Sequence, residues 1–460
     1  MAKIAALGAY VYQALLALGL LIAVSNLLPA PDYVAYSLFV SIAQFADIAC
    51  FQWIRAACSR FYPGPDGESE ERERGLIVTQ FIGSAVLCVL GVVAATLFDV
   101  PLWLALAGAA TAILQGSGEL HLTMLRFRQQ FSLFSWLQGA RASILAAATL
   151  AGAAIGGDLT HTVAGVLAGN LIYFISACVL SRHILPWSRA WDGTAARRNL
   201  VYGGVSAGAS VAGVLAPLGL KSIFVSVLGP ATAAGPLLAL DLLQRPFGMI
   251  ITSLQAVRYP ELVARFDQEG DSGAIRMELG RYYALLTGFA LIGAAGMIAL
   301  LDGATRAVVP LALQHSFLET APAIMLVALL RALTHTLLST PAHLQRRLPA
   351  IVGLAVLDCI LTCAGALLAA AVFPGSGAAI AAGAAGGAAM AAGFGAFMLR
   401  RQPFVMPWQP VLLSGAALAL SWLSASWFAG DLLLSTSVAL ACALALGAAP
   451  LFTLVRWIAR

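Results

Sequence analysis

Residues 6–28 read ALGAYVYQALLALGLLIAVSNLL and run directly into Pro29, Ala30, Pro31 and Asp32. An uncharged run of this length crosses a hydrocarbon core of about 30 Å as an α-helix rising about 1.5 Å per residue. The proline-marked turn behind it returns the chain to the surface. The run continues well past the length of a signal-peptide apolar region and shows no evident cleavage site, so it is expected to remain in the mature chain. Similar segments follow near 33–57, 76–98, 101–123, 132–156, 161–181, 200–228, 231–257, 282–301, 318–339, 348–373, 377–399, 408–429 and 433–456. That makes about fourteen predicted spans. The composition agrees, with 60% hydrophobic and 10% charged residues and a mean hydropathy of +0.89, far from soluble averages. The expected fold class is all-α integral membrane protein.

Basic residues give the orientation, because short cytoplasmic loops collect Lys and Arg. With the N-terminus inside, the termini and even-numbered loops hold Lys3; Arg60, Arg72, Arg74; Arg126, Arg128; Arg182, Arg189, Arg197, Arg198; Arg258, Arg265, Arg276, Arg281; Arg346, Arg347; Arg400, Arg401; Arg456 and Arg460. The odd-numbered loops hold only Arg306. Both termini are therefore expected in the cytoplasm. The net charge of +5 follows from this topology and implies no nucleic-acid partner.

Five cations remain, Arg55, Arg141, Lys221, Arg245 and Arg331, and all fall inside predicted spans. A cation in hydrocarbon is costly, so such residues face a wet or polar cavity and suggest a path for something anionic. The loops are too short to fold as catalytic domains. No GxxxxGK[ST], HExxH or CxxC motif occurs, so neither ATP hydrolysis nor metal catalysis is supported and no cofactor is expected. Cys359 and Cys363 stand one turn apart with no nearby third ligand. The seven cysteines lie in or beside apolar segments and read as packing residues. Asp66, Glu68, Glu70, Glu71, Arg72, Glu73 and Arg74 read as a solvated loop. The segment from Pro260 to Tyr282 reads as an amphipathic connector, in a pattern that also suits a helix on the inner membrane surface.

The chain also repeats itself. A shift of 200 residues lays Leu28, Leu38, Gln44 and Ala56 over Leu228, Leu238, Gln244 and Ala256, and Arg126 with Arg128 corresponds to Arg346 with Arg347. Both copies begin after an even number of spans, which predicts parallel repeats about an axis near the membrane normal. The expected domains are an N-lobe at 1–198, a C-lobe at 199–400 and two additional spans at 401–460.

Leu228-Gly229-Pro230-Ala231-Thr232-Ala233-Ala234-Gly235, the run Leu238 to Leu243 with Gln244, Arg245 and Pro246, and Tyr259-Pro260-Glu261-Leu262 closely resemble the mid-chain signature of Wzx-type polysaccharide flippases. Leu27-Leu28-Pro29, Tyr33 to Gln44, and Leu125-Arg126-Phe127-Arg128 leading to Arg141 extend the resemblance loosely over spans 1 to 12. The chain departs from that pattern at Asn26, where relatives often carry a cation, and at Pro236, where they carry an aromatic. These flippases belong to the multidrug/oligosaccharidyl-lipid/polysaccharide exporter superfamily. The resemblance implies two six-helix lobes around a central cavity, alternating access, and a polyprenyl-diphosphate-linked oligosaccharide as cargo in a bacterial inner membrane. It also implies a diphosphate contact for Lys221, and a polysaccharide polymerase and co-polymerase as partners.

Counting residues from the span starts puts Arg141, Asp241, Arg331 and Asp358 near the midplane. Arg331 with His335, and Asp241 with Arg245, are i, i+4 pairs on one helix face. Arg331, with no acid within three turns of it on its own helix, is the foremost candidate to hold diphosphate or acidic sugar, aided by Lys221, Arg141, Arg245 and His335. Arg141 and Asp358 occupy equivalent helices of the two lobes, so a pairing across the cavity is an open expectation. Asp47, Asp241 and Asp358 are candidates for proton or sodium coupling. Arg55, Glu119 and His121 read as snorkelling residues near inner helix ends. The Gly-rich runs 203–213 and 375–395 read as close helix contacts, with a hinge candidate at Pro217. A MATE-like exporter, a lipid II flippase and, as an enzyme, a membrane polymerase or ligase using the outer stretch Asp302 to Glu319 remain alternatives.

Overall fold

The computed structural model describes residues 2–62, 68–96, 100–185, 188–270, 272–345, 347–399, 403–427 and 432–459. Asp66, Arg346, Arg400, Arg401 and Arg460 lie outside the described residues. The described chain is all-helical. Its long helices are α1 (Ala2–Leu27), α2 (Ala30–Phe61), α3 (Glu68–Thr96), α4 (Leu102–Phe127), α5 (Phe131–Gly156), α6 (Leu159–Ser181), α7 (Gly193–Leu228), α8 (Pro230–Glu269), α9 (Gly273–Val308) and α10 (Leu311–Leu333). A π-helical turn (Thr334–Leu338) and the short α11 (Thr340–Leu344) follow, and then α12 (Leu348–Val372), α13 (Gly377–Leu399), α14 (Trp408–Trp427) and α15 (Leu432–Ala459). Eleven of these helices are long and apolar enough to cross a membrane. The protein is a multi-pass membrane protein.

Local chemistry sets the helix ends. Pro230 opens α8 at its first position, where a missing amide hydrogen costs nothing. Gly229 holds the α7–α8 turn at φ 77°, a conformation that would strain a side chain. Asp158 accepts from the amide of His161 at 2.8 Å to cap α6, and Asp192 accepts from Thr194 at 2.9 Å and Ala195 at 3.1 Å to cap α7.

The chain divides into two compact units, 1–218 and 219–460, with the boundary inside α7 one residue beyond Pro217. In the first unit α2 packs on α4, α4 on α6, and α5 on α1 and α6. In the second unit α8 packs on α10, α10 on α13, and α12 on α13, while α14 and α15 pack on each other and on α9. The α2–α4, α4–α6 and α5–α6 contacts thus have counterparts in α8–α10, α10–α13 and α12–α13. The α5–α6 and α12–α13 contacts share a device: a Cβ on Gly165 would stand 2.3 Å from the Ala148 carbonyl oxygen, and one on Gly387 2.0 Å from that of Leu361. Glycine lets these backbones touch.

Three expectations change. The 260–282 connector is two helix ends: α8 continues to Glu269, and α9 starts at Gly273 behind Ser272, whose hydroxyl accepts from the Ile275 amide at 3.2 Å. Regular hydrogen bonding extends both helices to the Gly270 turn, where φ is 61°. The stretch 302–319 is also helical except for Val309 and Pro310, so it is not the long loop that a polymerase reading needs. Finally, Glu70, Glu73 and Arg74 belong to α3, not to a solvated loop. Buried Arg74 bonds Glu70 at 2.9 Å, Arg128 reaches Glu70 at 3.4 Å, and Arg198 reaches Glu73 at 2.9 Å.

Candidate functional site

In the first unit a polar cavity of about 510 Å³ is lined by Gln13, Gln52, Arg55, Glu119, Arg126 and Gln138, among others. Helix spacing explains the lining. Gln52, Arg55 and Ser59 fall three to four residues apart on α2, and Glu119, Thr123 and Arg126 do the same on α4, so each helix presents one polar stripe. Behind the stripes the charges are paired. Arg55 donates to Asp47 at 3.0 Å, Arg141 on α5 is ion-paired with Glu119 on α4, and Gln138 donates to Gln13. The Arg141 guanidinium also lies 5.6 Å from the Tyr173 ring centre on α6, within cation–π range. Among the cavity residues, Arg126 is exposed and Arg55 partly so.

The second unit holds two further charged groups. Lys221 on α7 donates to Asp241 on α8 at 2.6 Å. Arg331 on α10 donates through Nε to Asp358 on α12 at 2.8 Å, and His335 Nε2 lies 2.9 Å from the same carboxylate oxygen. Thr362 donates to the other Asp358 oxygen at 3.3 Å, and Asp358 is completely buried. His335 belongs to the π-helical turn that ends α10. The added residue in such a turn redirects side chains, a geometry frequent at functional positions, and here it brings His335 to Asp358.

The structure locates the site residues expected from the sequence, and two readings of them are corrected. Arg331 is not a lone cation, because α12 supplies Asp358 as its partner. Asp241 bonds Lys221 rather than its same-helix neighbour Arg245, which makes no ion pair among the described residues. Arg141 and Asp358, open to pairing with each other in the sequence, each hold a partner within their own unit. Glu119 is that partner for Arg141 and not a snorkelling residue, and His121 Nε2 stands 2.6 Å from the Ser181 hydroxyl. The sequence reading missed Gln13, Gln52 and Gln138. Their signal was visible as three amides within otherwise apolar spans, which is costly without partners.

Chemically, the cavity offers guanidinium and amide donors suited to an anionic or hydroxyl-rich solute. The buried pairs hold cations and acids in mutual neutrality, able to part only if another charge replaces a partner.

No family model matches the sequence, and no curated protein matches it. Solved structures share its fold. The lipid II flippase MurJ in an inward closed conformation superposes with a TM-score of 0.76 at 11% identity, over 98% of this chain and 99% of that one. An inward-facing multidrug resistance MATE family transporter of the MOP superfamily gives 0.62 at 11% identity, over 85% and 95%. A MOP superfamily transporter from Pyrococcus furiosus gives 0.55 at 13% identity, over 86% and 93%. The chain therefore shares the fold of these solved proteins.

Proposed function

We propose that this protein is a flippase that carries polyprenyl-diphosphate-linked oligosaccharide from the cytoplasmic to the outer leaflet of a bacterial inner membrane, for polysaccharide biosynthesis. The observation that carries the reading is the end-to-end likeness to a lipid II flippase in a chain whose mid-region resembles Wzx-type sequences. In this reading 1–198 and 199–400 are the two lobes, 401–460 adds the last two spans, and both termini lie in the cytoplasm. The donor-rich cavity at Arg55 and Arg126 receives the sugar diphosphate, while the lipid tail stays in the bilayer. Lys221, Arg331, Arg141, Arg245 and His335 contact the headgroup as it crosses. Their carboxylate partners Asp241, Asp358 and Glu119 release them by exchanging one anion for another, so no bare charge is buried. A proton or sodium ion taken up at Asp47, Asp241 or Asp358 resets the carrier. A polymerase and co-polymerase receive the product.

Lipid II is the second reading, favoured by the same structural likeness. Proteoliposomes loaded with each lipid separate the two: transbilayer movement of lipid-diphosphate oligosaccharide, reduced by Arg55→Gln and Lys221→Gln at equal reconstitution, supports the first. Movement of lipid II alone would replace it, and export of small organic cations with no lipid movement would reject both.

A further inference from the structure

The helices around the first-unit cavity contribute side chains of two kinds. From α2 and α4 come the charged groups Arg55, Glu119 and Arg126, and from α1 and α5 come the amides Gln13 and Gln138. Between Tyr12 and Leu27 α1 carries no charged residue, and α5 carries only Arg141, which is buried and ion-paired with Glu119. An amide inside a spanning helix is costly unless its polar atoms are used. The pair uses part of its capacity: Gln138 donates one hydrogen bond to the side-chain carbonyl of Gln13. Among the described residues neither side chain has a further protein partner, so the amide hydrogens of Gln13 and the carbonyl oxygen of Gln138 remain for a solute. Ser59 and Thr123 of the same lining spend their hydroxyl hydrogens on the carbonyls of Ala56 at 2.7 Å and Glu119 at 2.8 Å. The hydroxyls of Tyr12 and Ser143, 2.8 Å apart, make a second contact between α1 and α5 and hold the amide pair in register.

These two sets suit two parts of one molecule. A guanidinium fork matches the oxygens of a phosphate, and the forks stand on α2 and α4. Sugar hydroxyl groups both donate and accept, and an amide pair that offers one donor beside one acceptor meets them without charge. A wall whose single cation is buried and paired has nothing to neutralise a sugar carboxylate. We propose that Gln13 and Gln138 are specificity-determining residues of this cavity, which bind the hydroxyl groups of a neutral hexose joined to the diphosphate, while Arg126 and Arg55 hold the diphosphate itself. This rests on the flippase reading and adds to it the face of the cavity that meets the sugar. The headgroup is thereby oriented, hexose against α1 and α5 and diphosphate against α2 and α4. A headgroup without the hexose leaves the amides unpaired and is held less well.

The test is calorimetric titration of the full chain in detergent with geranyl diphosphate, a bare probe, and with its glucosyl and galactosyl diesters. Wild type is expected to bind a sugar-bearing probe about tenfold more tightly than the bare one, the net worth of a hydrogen bond or two. Gln13→Met/Gln138→Met is expected to lose that preference and to bind the bare probe as wild type does. Arg126→Gln is expected to weaken all the probes by a similar factor and to keep the preference. An amide pair that served only to join α1 to α5 would alter stability and leave the ratio between probes unchanged. A preference that survives in the double variant therefore overturns the assignment, and so does a wild type that binds bare and sugar-bearing probes equally; the flippase reading outlives both results. A wild type that binds none of the probes rejects that reading and this inference with it. If the double variant does not fold, Gln13→Met alone, at the half-buried member of the pair, provides the comparison, and an unchanged preference then overturns the assignment.

Discussion

Glu119 on α4 pairs with Arg141 on α5, whereas Arg331 on α10 pairs with Asp358 on α12. By packing order α10 and α12 stand in the second unit where α4 and α5 stand in the first. Acid and base have exchanged helices. What the two copies share is an opposite-charge pair at this helix contact, not a residue type, because apolar surroundings demand neutrality and are indifferent to which helix supplies which sign. The pairs differ in wetness. Glu119 lines a polar cavity and keeps 36% of its side chain exposed, while Asp358 is sealed and carries His335 and Thr362 in addition to Arg331.

The sharpest break of this comparison is to remove the acid from each pair. Asp358→Ala leaves Arg331 buried without its counter-charge and is expected to cost about 3–5 kcal/mol in thermal or denaturant unfolding in detergent. Glu119→Ala also strands a buried guanidinium, Arg141, but beside a polar cavity that can admit water, and is expected to cost less, about 2 kcal/mol. Equal losses would mean that wetness does not separate the two sites. Next is a charge exchange within the first unit that gives it the polarity of the second. Glu119→Arg and Arg141→Glu are each expected to destabilise, and the double variant to recover about 1–3 kcal/mol of the summed loss in a double-mutant cycle. Additive losses would show that helix geometry fixes the sign.

The Lys221 and Arg245 contrast gives a smaller effect. Lys221→Met removes the ammonium from Asp241 and is expected to destabilise by about 2 kcal/mol, whereas Arg245→Met, with no ion pair to lose, is expected to stay within about 0.5 kcal/mol. Loss of lipid transport in Arg245→Met at full stability would therefore report a cargo contact. The smallest effect lies outside the membrane. The amides of Ala195 and Thr194, with Arg72 and Arg198 nearby, hold Asp192 below its ordinary 3.8. A depressed carboxylate contributes stability above its unfolded value, and that contribution disappears as pH falls through the folded one. Asp192→Asn is accordingly expected to lower stability slightly at neutral pH and to flatten the acid limb of the stability–pH curve, so that variant and wild type converge below about pH 4.

Some of this was legible in the linear chain. Fourteen apolar runs announced fourteen helices because a bilayer admits helix length and apolarity and little else, and Gly229-Pro230 announced its turn. The five intramembrane cations were visible as exceptions to that rule. Helix ends beyond the membrane were less legible: α8 and α9 outrun their apolar segments because water does not forbid a polar helix from continuing to Gly270. The site suffered more. Same-helix spacing suggested Asp241 with Arg245 and left Arg331 alone, since i, i+4 arithmetic sees one helix at a time.

The sequence by itself determined the membrane, the helix count and which residues are too polar to face lipid, because each depends on local length and composition. Only the tertiary structure decided their partners. Lys221 found Asp241 across the α7–α8 turn, and a π-helical turn carried His335 to Asp358. Arg141 took Glu119 from the neighbouring helix. Each of these contacts depends on how two helices rotate against one another, which is set by packing over their whole length and by no short stretch of either.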